Sequence, residues 1–137
     1  MTSTRTPTGA IVLLTRLARS AYRHVDEDML GMRLKEFTAL SALRDTDGRG
    51  QKELGEALLM DANNLVLLLN VLEERDHVVR ERDPQDRRRH VVNITAQGRA
   101  ALAAAEDAME RADADVLGRL NQKERAELRG LLAKALG

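Results

Sequence analysis

The chain has no cysteine. That excludes a disulfide framework, a thiolate metal site and a thiol-based redox switch. Aromatics are almost absent too, with Tyr22, Phe37 and no tryptophan, so any core must be aliphatic. Neither charge sign is in excess, since 22 basic residues face 22 acidic ones. A uniformly basic, histone-like nucleic-acid binder is therefore excluded, while a protein whose charges are locally segregated is not. Uninterrupted apolar runs are short, such as residues 65–69, and fall far short of a membrane span. Residues 1–9 contain no apolar stretch and are expected to be a flexible tail, not a signal peptide. A soluble, cytoplasmic protein without membrane association is the expectation.

What is present is leucine and alanine, two strong helix formers, in a length sufficient for one domain. A first helical pattern runs over 10–32, with Ile11, Leu14, Leu17, Ala18, Ala21, Tyr22, Val25 and Met29 on one stripe. Tyr22, Arg23 and His24 could line a ligand pocket, but Tyr22 fits the stripe and is expected in the core. A second pattern covers 34–43. Asp47-Gly48 and Gly50 then supply turn chemistry. Short helices are expected over 51–59 and 62–75, the second capped by Asp61. Beyond them the period changes. Segments 77–82 and 90–95 are rich in β-branched residues and bracket a Pro84-containing loop, which predicts a hairpin. Thr95 can cap an Ala-rich helix over 96–120. Asn121 and Glu124 form a capping box for a last helix over 122–136. The fold class is thus mainly α with a small β-hairpin, in one domain over 10–137.

Two short helices around a tight turn, followed by a hairpin, outline a winged helix-turn-helix. On a helical wheel of 62–75, Leu65, Leu68, Leu69 and Leu72 fall together and would anchor the helix. Asn63, Asn64, Leu67 and Asn70 lie opposite, with Val71 and Glu74. Asparagine can pair with adenine, and leucine can touch a thymine methyl. The same three asparagines would equally suit a solvated surface helix, and this face carries no Lys or Arg. The hairpin is more telling. From Arg80 to His90 there are five Arg and three acids. Arginine suits phosphate and narrow minor grooves, and Asp86 lies two residues before Arg88, near enough to hold its guanidinium. Mixed charges that pair among themselves are the competing reading.

Val71-Leu-Glu-Glu-Arg, Val78-Val-Arg, Asp83-Pro-Gln-Asp86-Arg-Arg88, Ile94-Thr95 and Gly98 together resemble the wing signature of the MarR family of bacterial transcriptional regulators. The resemblance covers the chain from about residue 10. It implies dimerisation through 10–32 and 96–137, with 34–95 as the DNA-binding part. It also implies recognition helices on the half-sites of a pseudo-palindrome in double-stranded DNA. Arg88 would enter the minor groove, braced by Asp86, with Arg87 and Arg89 on phosphates. A small anionic or aromatic effector would bind between the two parts and release the DNA. No cofactor is implied. Three departures stand out: Leu67 where the family often has Arg, Asn63-Asn64 where Ser or Thr is commoner, and Asp76 where a glycine usually ends the recognition helix.

An enzyme is not expected. His24, His77 and His90 are scattered, and there is no P-loop, zinc-hydrolase or dinucleotide-binding motif. The other alternative is a dimeric helical sensor or scaffold with weak DNA binding. It is motivated by the eight Lys/Arg against nine Asp/Glu over 49–95.

Overall fold

The computed structural model describes residues 9–25 and 30–137, so most of the expected tail lies outside the described residues. Among the described residues, six helices and three short strands follow one another: α1 (Ala10–His24), α2 (Leu34–Leu43), β1 (Arg49–Gly50), α3 (Gln51–Leu58), α4 (Ala62–Glu74), β2 (Val78–Arg82), β3 (His90–Ile94), α5 (Ala96–Val116) and α6 (Gln122–Leu136). No single described helix is long and apolar enough to cross a membrane. The chain divides into two compact units, one of residues 26–108 and one combining 1–25 with 109–137.

In the unit of residues 26–108, buried leucines from four helices meet the sheet. Leu40 and Leu43 of α2, Leu54 of α3, Leu65, Leu69 and Leu72 of α4 and Leu102 of α5 are buried with Val78 and Val92. The anchoring stripe expected on α4 is the buried one. The expected hairpin gains a third strand, because Arg49 and Gly50 pair with Val92 and Val91, giving the order β1-β3-β2. Two residues beside a glycine turn carry too little pattern to be read as a strand in advance. The hairpin register sets Val78 opposite Ile94, Arg80 opposite Val92 and Arg82 opposite His90.

Helix α4 ends in a Schellman motif. The N–H of Asp76 donates to the Glu73 carbonyl at 3.0 Å and that of His77 to Leu72 at 2.8 Å. Closing it puts Asp76 at φ 60°, the left-handed conformation expected from its place at the helix end. Asp76→Gly removes the Cβ strain, worth ~1–2 kcal/mol, and adds back ~0.5–1 kcal/mol of unfolded-state entropy. Its melting temperature should rise by about 2 °C. A lower melting temperature by calorimetry would contradict the strain.

The unit of residues 1–25 and 109–137 differs from expectation in three ways. The first helix does not run to 32. It stops at His24, with Val25 extended and bonded back to the Ala21 carbonyl. Arg23 occupies its last turn, where a cation offsets the negative end of the helix dipole, and Met29 of the expected stripe lies outside the described residues. Nor is its apolar stripe a core stripe. No residue of α1 is buried, and Tyr22 is exposed. The Ala-rich helix α5 ends at Val116, before the expected 120. Asn121 then caps α6 reciprocally with Glu124, at 2.8 and 2.9 Å.

Candidate nucleic-acid interface

Helices α3 and α4 meet at a bend of 107°, within the range of helix-turn-helix corners. Leu59 makes the corner by entering the left-handed region, and Asp61 then caps α4 by accepting the Asn64 N–H at 2.8 Å. With the leucine stripe packed inward, Asn63, Asn64, Leu67 and Asn70 are all exposed, Leu67 at 63%. Their spacing of three and four residues keeps them along one side of the helix.

The side chains on that helix are not all free. Asn64 Nδ2 donates to Asp61 Oδ2 at 2.9 Å. Asn70 Oδ1 accepts from Arg80 Nη2 at 2.6 Å, and the same nitrogen donates to Glu73 Oε1 at 2.9 Å. The Arg80 hydrogen bond holds the Glu73 carboxyl below the usual carboxylate range, and the guanidinium charge adds to it. Arg80 thus brings a cation to a helix that has none on its exposed side. The parity of β2 carries the signal that sequence reasoning missed. Arg80 is two residues from buried Val78, hence on the same face, and a charge there needs a partner.

The wing loop, 83–89, is closed by its own backbone. Asp83 N–H donates to the Arg89 carbonyl and Arg89 N–H to Asp86, each at 2.9 Å. Asp86 Oδ1 accepts the Arg88 N–H at 3.1 Å and lies 3.3 Å from its Nε. The brace expected from the sequence is therefore present in geometry, and the Arg88 side chain beyond it is 93% exposed. Arg87 is exposed, and its carbonyl accepts from Arg82 Nη1 at 2.6 Å. Arg89 is placed differently from a free phosphate contact: it is ion-paired to Glu53 at the start of α3. Glu53 is also held below the usual carboxylate range, first by its own backbone N–H and then by the Arg89 charge. A groove of about 600 Å³ lies here, lined by Lys52, Glu53, Arg88 and Arg89 among others. Among the described residues no three His, Asp or Glu side chains converge as a metal site.

Residues 30–89 match the MarR family profile. Transcriptional regulator HosA of Escherichia coli O111:H- is 35% identical over 101 residues, 74% of this chain and 75% of that protein. The chain belongs to the MarR family. A Thauera aromatica protein named for regulation of the hcr operon is 38% identical over 98 residues, covering 72% of this chain and 59% of its own length. Among solved structures, the transcriptional repressor CouR bound to a 23-mer DNA duplex superposes with a TM-score of 0.79 at 28% identity, over 94% of this chain and 93% of CouR. As a MarR-family protein the chain is a DNA-binding transcriptional regulator with a winged helix-turn-helix, and not an enzyme. In this member of the MarR family the exposed side of α4 carries Leu67 and three asparagines, and the arginines beside it come from the wing and β2.

Proposed function

We propose that the chain binds a pseudo-palindromic operator as a homodimer, represses transcription there and is released by a small anionic or aromatic effector. Arg88 carries this reading. It projects from the wing tip almost fully exposed, yet its guanidinium is already oriented by Asp86. A pre-oriented arginine loses little rotamer entropy on entering a narrow, electronegative minor groove. Asn63, Asn64, Leu67 and Asn70 would meet base edges in the adjacent major groove, with Arg87 on phosphate. Arg89 would reach phosphate by exchanging its Glu53 partner for the backbone.

The homodimer, with 10–32 and 96–137 as the dimerising part and 34–95 as the DNA-binding part, is supported by the exposure of the terminal helices. Ile11 is 75%, Leu131 64% and Leu136 81% exposed, and neither α1 nor α6 has a buried residue. Leucine-rich helices with nothing buried are what a second copy would cover. The effector follows from family membership, and a cytoplasmic location from the DNA partner.

Arg88→Ala should weaken operator binding by ~1–3 kcal/mol and lower the salt dependence by about one charge per wing. Mobility shifts with DNA flanking the protein's own gene, at several salt concentrations, measure both. Unchanged affinity and slope would reduce the wing to a solvated loop. If wild-type protein binds no fragment above random DNA, the sensor or scaffold reading replaces this one.

A further inference from the structure

We propose that Asn64 and Asn70 read bases with opposite hydrogen-bond polarity, each set by the neighbouring side chain that holds its amide. This rests on the reading above, in which the exposed side of α4 enters the major groove. A carboxamide has one accepting oxygen and one donating NH₂, and either can face outward. What decides is a partner able to play only one role.

At Asn70 the partner is a guanidinium, which only donates. The amide atom 2.6 Å from Arg80 Nη2 is therefore the oxygen, because the reverse orientation would set donor against donor. Arg80 cannot easily turn away. Glu73 holds its Nη2 at 2.9 Å and its backbone N–H at 3.3 Å, and its side chain is only 19% exposed. Asn70 is left presenting NH₂. At Asn64 the partner is a carboxylate, which only accepts. The amide atom 2.9 Å from Asp61 Oδ2 is therefore the nitrogen. Asp61 is itself fixed by its capping bond from the Asn64 N–H. Asn64 is left presenting Oδ1, with one N–H to spare.

Base edges respond in opposite ways. Guanine offers two major-groove acceptors, N7 and O6, whereas adenine offers N7 beside the N6 donor. Asn70, with its hydrogens outward and its oxygen turned to Arg80, favours guanine, and a paired adenine contact would have to share the oxygen that Arg80 already uses. Asn64, with an acceptor and one donor outward, matches adenine. The two residues are six apart, about 9 Å along the helix axis, so they meet different base pairs. Leu67 lies between them.

Selection from a randomised duplex pool tests this with the full chain. Asn70→Ala and Asn64→Ala locate the position each residue reads. Wild type should prefer guanine over adenine at the first, and adenine over guanine at the second, each about tenfold. Arg80→Ala should bring the guanine preference to within about twofold, whatever total affinity is lost with the charge. Asp61→Asn keeps a good N-cap but can donate to a reversed amide. It should move the second position from adenine towards guanine or thymine. Thermal melts verify that each variant folds, and if Arg80→Ala does not, Asp61→Asn decides alone. Base preferences identical to wild type in the folded variants overturn the polarity assignment while leaving the regulator reading intact. No enriched motif with wild type would overturn that reading itself.

Discussion

Replacing Gly98 by alanine is expected to destabilise the protein by about 3 kcal/mol and lower its melting temperature by on the order of 10 °C. At most helix positions the same change stabilises by ~1 kcal/mol, since alanine is the better helix former. Here the sign reverses because of what lies against the glycine. A Cβ at Gly98 would sit 2.1 Å from the His77 carbonyl oxygen and 2.9 Å from Ile94 Cγ1. The first of these is backbone and is held in place. The His77 carbonyl accepts the Thr95 N–H at 2.9 Å, the Thr95 hydroxyl donates to the Asp76 carbonyl, and that hydroxyl oxygen accepts the Gly98 N–H at 3.0 Å. The first turn of α5 is thereby locked onto the end of the recognition helix. Gly130 in α6 serves as the control, having nothing within 4 Å of a Cβ. Gly130→Ala should be neutral or stabilising by up to ~1 kcal/mol. Chemical denaturation of both variants gives the comparison, and a Gly98→Ala protein as stable as wild type would refute the close approach.

Loss of the Glu36 carboxylate is expected to be of similar size, about 3 kcal/mol for Glu36→Ala and roughly half that for Glu36→Gln. Glu36 is the one buried charged residue among those described, at 1% exposure. Its Oε2 accepts the Arg33 N–H at the start of α2, at 2.9 Å, and its Oε1 faces Arg75 Nη1 at 3.1 Å. Alanine removes the cap, leaves a cavity and takes the buried carboxylate away from Arg75 at the end of α4. Glutamine keeps the volume and an oxygen for the Arg33 N–H, but loses the charge and turns its NH₂ towards Arg75. Removing one member of a buried pair typically costs ~3–5 kcal/mol, reduced here because Arg75 is partly exposed and can rehydrate. Urea unfolding resolves these steps. An alanine variant within 1 kcal/mol of wild type would show that the pair contributes little to holding α2 against α4.

Much of the geometry of the proposed DNA-binding surface was legible because it is local. The Leu65, Leu68, Leu69 and Leu72 stripe requires Asn63, Asn64, Leu67 and Asn70 to face away from it, whatever the rest of the chain does. Asp86 and Arg88 are two residues apart in one tight loop, so their contact follows from the turn. The Asp61 cap, the Asn121–Glu124 box and the left-handed Asp76 likewise involve only near neighbours. The first helix was misread for a related reason. An apolar stripe states that one side will be covered, but not by what, and α1 buries nothing within its own chain.

By itself, then, the sequence determined the order of helices and hairpin, the outward side of the recognition helix and the braced wing arginine. Each follows from periodicity, capping or turn chemistry within a few residues. Only the tertiary structure decided which charge meets which. Arg80 reaches Asn70 across ten residues of chain, and Arg89 reaches Glu53 across thirty-six. Those pairings depend on how β2 and the wing dock against α3 and α4, which no local pattern encodes. The wing therefore has five arginines of one chemistry and several different placements. Arg88 is turned to solvent, Arg82 is spent on the loop carbonyl, and Arg80 and Arg89 are held against the helices beside them.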